Sequence, residues 1–242
     1  MRAKSLRIMS RFPDAPFYSL QPATFVSRPN RFVIIARHRN QTIRAACPDP
    51  GRLAELLVPG VRVLLEPASR PGRCTSHTII LVRHRARWVS LFPALANRIF
   101  EAALRRDGVP GLRNAKILAR EVPCGQGRID FVVSWRGRKA LLEVKSATLV
   151  AGGRALFPDA PTARGRRHLQ ELTAHSGKGG QAVVVFIVQR DDARSLSPHA
   201  ANDPAFAAAL SDAARAGVRV LAFACRVTPD GIRLDRRIPV VM

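Results

Sequence analysis

The sequence predicts two unlike parts: a small all-β barrel over residues 21–90 and a mixed α/β domain over 91–242, with an arm or tail at 1–20. Three observations carry this expectation. Short β-branched runs broken by turns fill the first part. Helix and strand patterns alternate after Pro93. Within that alternation, two strands flank a tight X-Gly loop at Arg136-Gly137.

The first residues, Met1 to Leu20, mix arginine, proline and aromatics without a period, which is the character of an arm. From Phe25 to Val89 the strands are short. Arg31–His38 is a β-rich apolar run, turned at Arg39-Asn40-Gln41 into a second strand from Thr42. Pro59-Gly60 punctuates the chain before Val61–Glu66, and Thr78–Val82 is another β-branched run. Strands at this spacing predict a barrel, with basic side chains interleaved as on a face that follows phosphates.

In the second part, Asn97 is placed to cap a helix running through Ile99, Phe100, Ala103 and Leu104 to Arg106, which Gly108 and Pro110 stop. Strands follow at Lys116–Val122, Arg128–Trp135 and Lys139–Leu149, then a helix at Thr162–Ala174. Gln181–Gln189 is a continuous apolar strand, buried on both faces. Asp203-Pro204 opens an alanine-rich helix that ends at Ala216-Gly217, and Val218–Val227 is the last core strand.

Charge narrows the function. The 242 residues hold 40 Lys plus Arg against 17 Asp plus Glu, for a net +23. A folded chain so far from neutrality repels itself, so it calls for a polyanionic partner, with DNA first, RNA possible and an anionic membrane a weaker rival. The excess is denser toward the start: 16 basic against 4 acidic residues in 1–90, and 24 against 13 in 91–242. Nothing resembles a strongly amphipathic basic helix, so no membrane partner is expected. Cys47, Cys74, Cys124 and Cys225 form no CxxC pair, and neither an 18-residue apolar run nor a signal segment occurs. The expected compartment is a reducing cytoplasm.

The chemistry concentrates in Arg128–Ser146. If Arg136-Gly137 is the turn, Trp135 pairs with Arg138, and counting back sets Asp130 opposite Glu143. Lys145 lies two residues on and shares the face of Glu143, while Phe131, Val133, Leu142 and Val144 line the other side. Two opposed carboxylates repel unless a cation lies between them. The expected occupant is a hard divalent ion, Mg²⁺ or Mn²⁺, held by Asp130 and Glu143, with Lys145 orienting water toward a phosphodiester. Arginine partners on a solvated sheet face are the competing explanation for these charges.

Asp130…Glu143-Val-Lys145 resembles the PD-(D/E)xK nuclease signature. The phrases around it, among them Arg128-Ile-Asp-Phe131, Glu143-Val-Lys-Ser146, Phe157-Pro-Asp-Ala-Pro-Thr162, His168-Leu169 and Gln189-Arg190, resemble the sugar fermentation stimulation protein family over about residues 17–240. The resemblance implies an OB-like barrel joined to a PD-(D/E)xK nuclease-like α/β domain, non-specific DNA binding, and an association with control of sugar-utilisation genes. It carries Asp130, Glu143 and Lys145 over as the triad, and Glu101 as the additional metal-binding and catalytic acid. Glu101 equally suits an ion pair with Arg105 one turn on. The family phrase His-Cys-Pro-Asn-Thr-Gly-Arg reads Ala46-Cys47-Pro48-Asp49-Pro50-Gly51-Arg52 here, so the imidazole and amide are absent while Gly51-Arg52 is kept. Arg31, Arg52, Arg164 and Arg190 are the expected phosphate contacts. His168 and Glu171, on the helix that Thr162 opens, are placed to face the acidic cluster.

The reading is therefore a basic barrel that grips DNA and an α/β domain that hydrolyses it. Its rivals are a non-catalytic regulator on the same fold and an enzyme of RNA.

Overall fold

The computed structural model describes residues 13–68, 74–106 and 108–242. Most of the expected arm, residues 1–12, lies outside them.

The first part is a closed barrel. Strands β2 (Gln21–Asn30), β3 (Val33–His38), β4 (Gln41–Ala46), β5 (Arg62–Pro67), β6 (His77–His84) and β7 (Arg87–Ser90) order as β4-β3-β2-β5-β6-β7. A parallel pairing of Ala45 with His77 and Ala46 with Thr78 joins β4 to β6 and closes the ring. Closure removes the free edges a short open sheet would expose. Alternate residues point inward: Phe25, Ile34, Ala36, Val63, Leu65, Ile79 and Val82 form the barrel core. The neighbouring Leu64, Ile80 and Leu81 point outward and join the core of the second domain, so the two parts share a dry seam. The ten-residue β2 is absent from the sequence expectation because Pro22 and Pro29 read as breakers.

The second part is built on a seven-stranded sheet. Helix α1 (Leu95–Arg106) leads into β8 (Lys116–Cys124), β9 (Gly127–Trp135) and β10 (Arg138–Ala147). The short strands β11 (Val150–Ala151) and β12 (Arg154–Phe157) precede α2 (Ala163–Gly177). Then come β13 (Gln181–Val188), β14 (Ser195–Pro198), α3 (Pro204–Arg215), β15 (Arg219–Thr228) and β16 (Gly231–Ile238). With β1 (Ala15–Pro16), the large sheet orders as β1-β16-β15-β13-β10-β9-β8, and β11, β12 and β14 form a small one. The central strands β10, β13 and β15 are parallel, and seven of the eight β13 residues are buried, as a strand covered on both faces must be.

Helix α1 covers one face, packing Ile99, Phe100 and Ala103 on Phe131, Val133, Leu142 and Val144. Helices α2 and α3 cover the other, packing Leu169, Leu172, Phe206 and Leu210 on Val184, Phe186 and Val188. The start signals hold at two helices. Thr162 Oγ1 accepts the Gly165 N–H at 3.0 Å, and Asp203 Oδ1 accepts that of Phe206 at 2.9 Å.

Three expectations are corrected. Val218–Val227 is not the last core strand, because β16 folds back antiparallel on β15. Its Arg- and Asp-rich sequence hid the alternation Ile232, Leu234 that packs into the core. Within the described part of the expected arm, Ala15–Pro16 is an edge strand: Ala15 pairs with Ile232, and the fully buried Asp14 carboxylate bonds Arg106 and the Leu234 N–H. Asn97 is not the cap of α1, which begins at Leu95; it lies within the helix. Among the described residues no helix is long and apolar enough to cross a membrane, and the cysteines are free thiols.

Candidate nuclease-like site

The hairpin forms in the expected register, with Arg138 paired to Trp135 and Leu142 to Phe131. Arg136 and Gly137 both take positive φ, as a two-residue hairpin loop requires. One step on, the paired ladder stops. Asp130 Oδ2 accepts the Val144 N–H at 2.7 Å, while the Asp130 N–H approaches Glu143 Oε2 at 3.4 Å. The two side chains thus take over the bonds that main chain would otherwise make, and both carboxylates are held at one place on the sheet.

Each acid has its own support. Asn97 on α1 donates from Nδ2 to Asp130 Oδ1 at 2.9 Å. Glu143 Oε1 accepts Lys145 Nζ at 2.5 Å and also meets Nδ1 of His168 on α2. Both Glu143 and His168 are buried. Electrostatics differ accordingly. Burial, then the nearby Glu143 charge, push the Asp130 carboxyl above the ordinary range, against the Val144 and Asn97 bonds and Lys145. Burial also pushes Glu143 up, but its bonds to His168 and Lys145 outweigh that and hold it below.

The pair opens into a cleft of about 740 Å³ between the two domains. Asn97, Asp130, Glu143 and Lys145 form one wall, the barrel phrase Asp49-Pro50-Gly51 a second, and Phe157–Thr162 a third. The phrase that departs from the family pattern is thereby placed at the cleft, and it is rigid. Arg28, absent from the sequence reading, donates to the carbonyls of Arg31, Asp49, Gly51 and Arg52 at 2.7–2.9 Å. Asp49 is buried, bonded by the Gly51 N–H and by Thr148 Oγ1. Burial first, then the charge of Asp159, whose carboxylate accepts the Leu53 N–H of the same loop, push its carboxyl up. Burial likewise pushes the Cys47 thiol up to about 11, so it is neither a nucleophile nor a thiolate ligand at neutral pH.

The remaining expected residues divide. Arg31 and Arg164 are exposed and line the cleft. Arg52 is exposed but beside it. Arg190 is corrected: at 1% exposure it cannot meet a phosphate, because its guanidinium is spent on Asp192 at 2.6 and 2.8 Å and on the Thr148 carbonyl at 2.9 Å. Gln189 is also fully buried, donating to Ser146 Oγ and to the Phe92 carbonyl. Glu101 does not line the cleft; its carboxylate is taken by Arg105 and Arg120, the ion-pair alternative. Asn97, one turn earlier, is the α1 side chain that reaches Asp130, a signal available in the helical spacing of 97 and 101. Glu171 pairs loosely with Arg167 at 3.9 Å, and of the two residues expected to face the acids only His168 does.

Asp130 and Glu143 are the side chains that could hold an oxygen-ligand cation, and among the described residues no group of three or more His, Cys, Asp or Glu is arranged to hold one. Glu143 Oε2 has only the long contact from the Asp130 N–H, and each Asp130 oxygen accepts a single bond, so lone pairs remain on both acids, which line the cleft.

Comparison with known proteins matches this architecture part by part. Residues 26–91 match the family domain described as "SfsA N-terminal OB domain", and residues 94–231 match "Sugar fermentation stimulation protein RE domain". The sugar fermentation stimulation protein homolog of Moorella thermoacetica is 46% identical over 218 residues, covering 89% of this chain and 94% of that protein. That of Chloroflexus aggregans is 42% identical over 232 residues, covering 96% and 89%. A solved structure of Pyrococcus furiosus SfsA in complex with Ca²⁺ is similar at a TM-score of 0.86 and 28% identity, covering 96% of this chain and all of that one. With an OB barrel set against a hairpin that carries Asp130, Glu143 and Lys145, the chain belongs to the sugar fermentation stimulation protein family.

Proposed function

We propose that this chain binds DNA in the cleft between its domains and hydrolyses a phosphodiester there, with Mg²⁺ or Mn²⁺. The observation that carries the reading is the convergence of Asp130, Glu143 and Lys145 on a cleft whose opposite rim is the basic barrel. A phosphate lying against Arg31 and Arg164 would be in the same cleft as the acids. The Ca²⁺ in the Pyrococcus protein supports a hard cation in a relative of this fold. A cation held by Asp130 and Glu143 would supply charge stabilisation to the phosphodiester and acidify a bound water.

The chain's own residues do the rest. Asn97 fixes the rotation of the Asp130 carboxylate, and His168 does so for Glu143. Lys145 Nζ lies beside Glu143 and 3.4 Å from His168 Nδ1, where it can hold a water and offset charge building on the phosphate. The pinned Arg28 phrase keeps the barrel wall from collapsing into the space. The strong net charge and the absence of a membrane-crossing helix among the described residues suit a nucleic-acid protein of the cytoplasm.

One observation favours a second reading, in which the chain is a non-catalytic DNA-binding regulator of sugar-utilisation genes on the same fold. Glu143 Oε1 already accepts both Lys145 and His168, a closed arrangement that a cation would compete with. Incubation of labelled single- and double-stranded DNA and RNA with Mg²⁺ or Mn²⁺, wild type beside Glu143→Ala, separates the two. Metal-dependent products that vanish in the variant support hydrolysis. Intact substrate with equal binding by both proteins leaves the regulator.

A further inference from the structure

A second basic site lies on the α1 face of the sheet, around Trp135 at the end of β9. There the α1–β8 loop, the β9–β10 turn and the start of β15 border a solvent-open cavity of about 480 Å³. Arg113, Asn114, Ser134, Trp135, Arg136 and Arg219 line it, and it shares no lining residue with the cleft. Trp135 is five positions along β9 from Asp130, roughly 17 Å at the rise of an extended strand.

Two guanidinium groups stack on Trp135: Arg136 at 4.6 Å and Arg219 at 5.3 Å from the ring centroid. The arginines here are not among those of the chain that hold a carboxylate. Arg166, Arg190 and Arg236 each hold a carboxylate. Among the described residues Arg113, Arg136 and Arg219 form no ion pair, and no carboxylate lines the cavity. The Nε of Arg219 is shielded from solvent and has no hydrogen-bond partner. Burial, then the charges of Arg237 and Arg136, push the Arg219 guanidinium down. Like charges gathered around a concave surface with an unmet buried donor are a frustrated arrangement in the free chain, and an anion relieves it.

We infer that this cavity binds a phosphate-bearing anion, held by the guanidinium groups of Arg136 and Arg219 over Trp135, with Arg113, Asn114 and Ser134 at its edge. Guanidinium forks match phosphate oxygens in geometry as well as charge. The volume suits a pyrophosphate or a nucleotide. The phosphate could belong to a free small molecule or to a nucleic-acid backbone passing over this face. The inference does not depend on hydrolysis in the cleft.

Trp135 is its own reporter. The chain has 2 tryptophans, so Trp88→Phe leaves the emission of Trp135 alone. Inorganic pyrophosphate, titrated without divalent metal, is expected to change that emission saturably. Arg219→Gln and Arg136→Asn should each weaken the response roughly tenfold, the loss expected for one charge-assisted contact. Asn accepts the left-handed conformation that position 136 adopts, so the second variant keeps the turn. Glu143→Ala should respond as wild type, which separates this site from the cleft. Competition by an unphosphorylated 12-mer DNA would assign the anion to a backbone phosphate, and its failure to compete would assign a free phosphorylated molecule. No saturable change, or one that survives both arginine variants, would overturn the inference.

Discussion

Asp130 accepts the main-chain N–H of Val144 through its side chain at 2.7 Å, one position past the last paired residues of the β9–β10 hairpin. A carboxylate has replaced a carbonyl in the ladder. The position of Asp130 is therefore as fixed as the sheet itself, and its second oxygen is aimed by Asn97 alone.

Removing that aim tests the role of Asn97. Asn97→Ala is expected to lower metal-dependent cleavage by about tenfold while DNA affinity stays within twofold of wild type. The Asn97 bond opposes the upward pressure of burial and of Glu143 on the Asp130 carboxyl. Losing it raises that group further, so the acid limb of the rate–pH profile should move to higher pH. Cleavage rates from pH 5 to 9 check both outcomes.

Asp49 is expected to destabilise the free protein at neutral pH. Its carboxyl is pushed up by burial and by Asp159, so folding takes up a proton at this group. Its contribution is most favourable in acid and declines as pH rises from near the ordinary 3.8 through the raised folded value. Asp49→Asn, which restores the family's amide, should stabilise the fold by on the order of 1 kcal/mol at pH 7. Denaturant melts should show that gain shrinking at acid pH. An equal gain at all pH values would refute the electrostatic account.

Arg190→Ala should cost roughly 3–5 kcal/mol, because it leaves the half-buried Asp192 carboxylate without the partner that holds its pKa down against burial. Urea melts measure this. The salt dependence of DNA binding by any folded fraction should be unchanged.

Arg31→Ala and Arg164→Ala should each lower the slope of log affinity against log salt by about one, since each removes one phosphate contact in the cleft. Fluorescence anisotropy at several salt concentrations reads the slope. A loss that is independent of salt would show that these side chains act on the fold instead.

Where local chemistry decides, the chain was readable. An X-Gly turn fixes the hairpin register, and register fixes which side chains share a face, so Asp130, Glu143 and Lys145 could be brought together on paper. Helix starts at Thr162 and Asp203 were readable for the same reason. What was illegible depends on partners distant in sequence. The run to Arg190 shows only an apolar strand ending in a cation; the carbonyl of Thr148 that it meets is 42 positions away. Glu101 and Asn97 differ by one helical turn, and only packing decides which of them faces the sheet. Strand β2 was hidden by prolines that the barrel tolerates, and β16 by charges alternating with core residues.

Strand β1 precedes the barrel in the chain yet pairs with β16 at the edge of the other domain's sheet. The barrel is in effect an insertion, tethered to its neighbour at both of its ends. A single link would leave it free to swing away, but two chain connections and the shared apolar seam hold it against its neighbour like a closed clasp. Trimming the chain back to Gln21 would therefore do more than shorten a tail. It would bare the backbone of β16 as a sticky margin open to pairing with another molecule, and it would remove one of the two chain connections that flank the barrel.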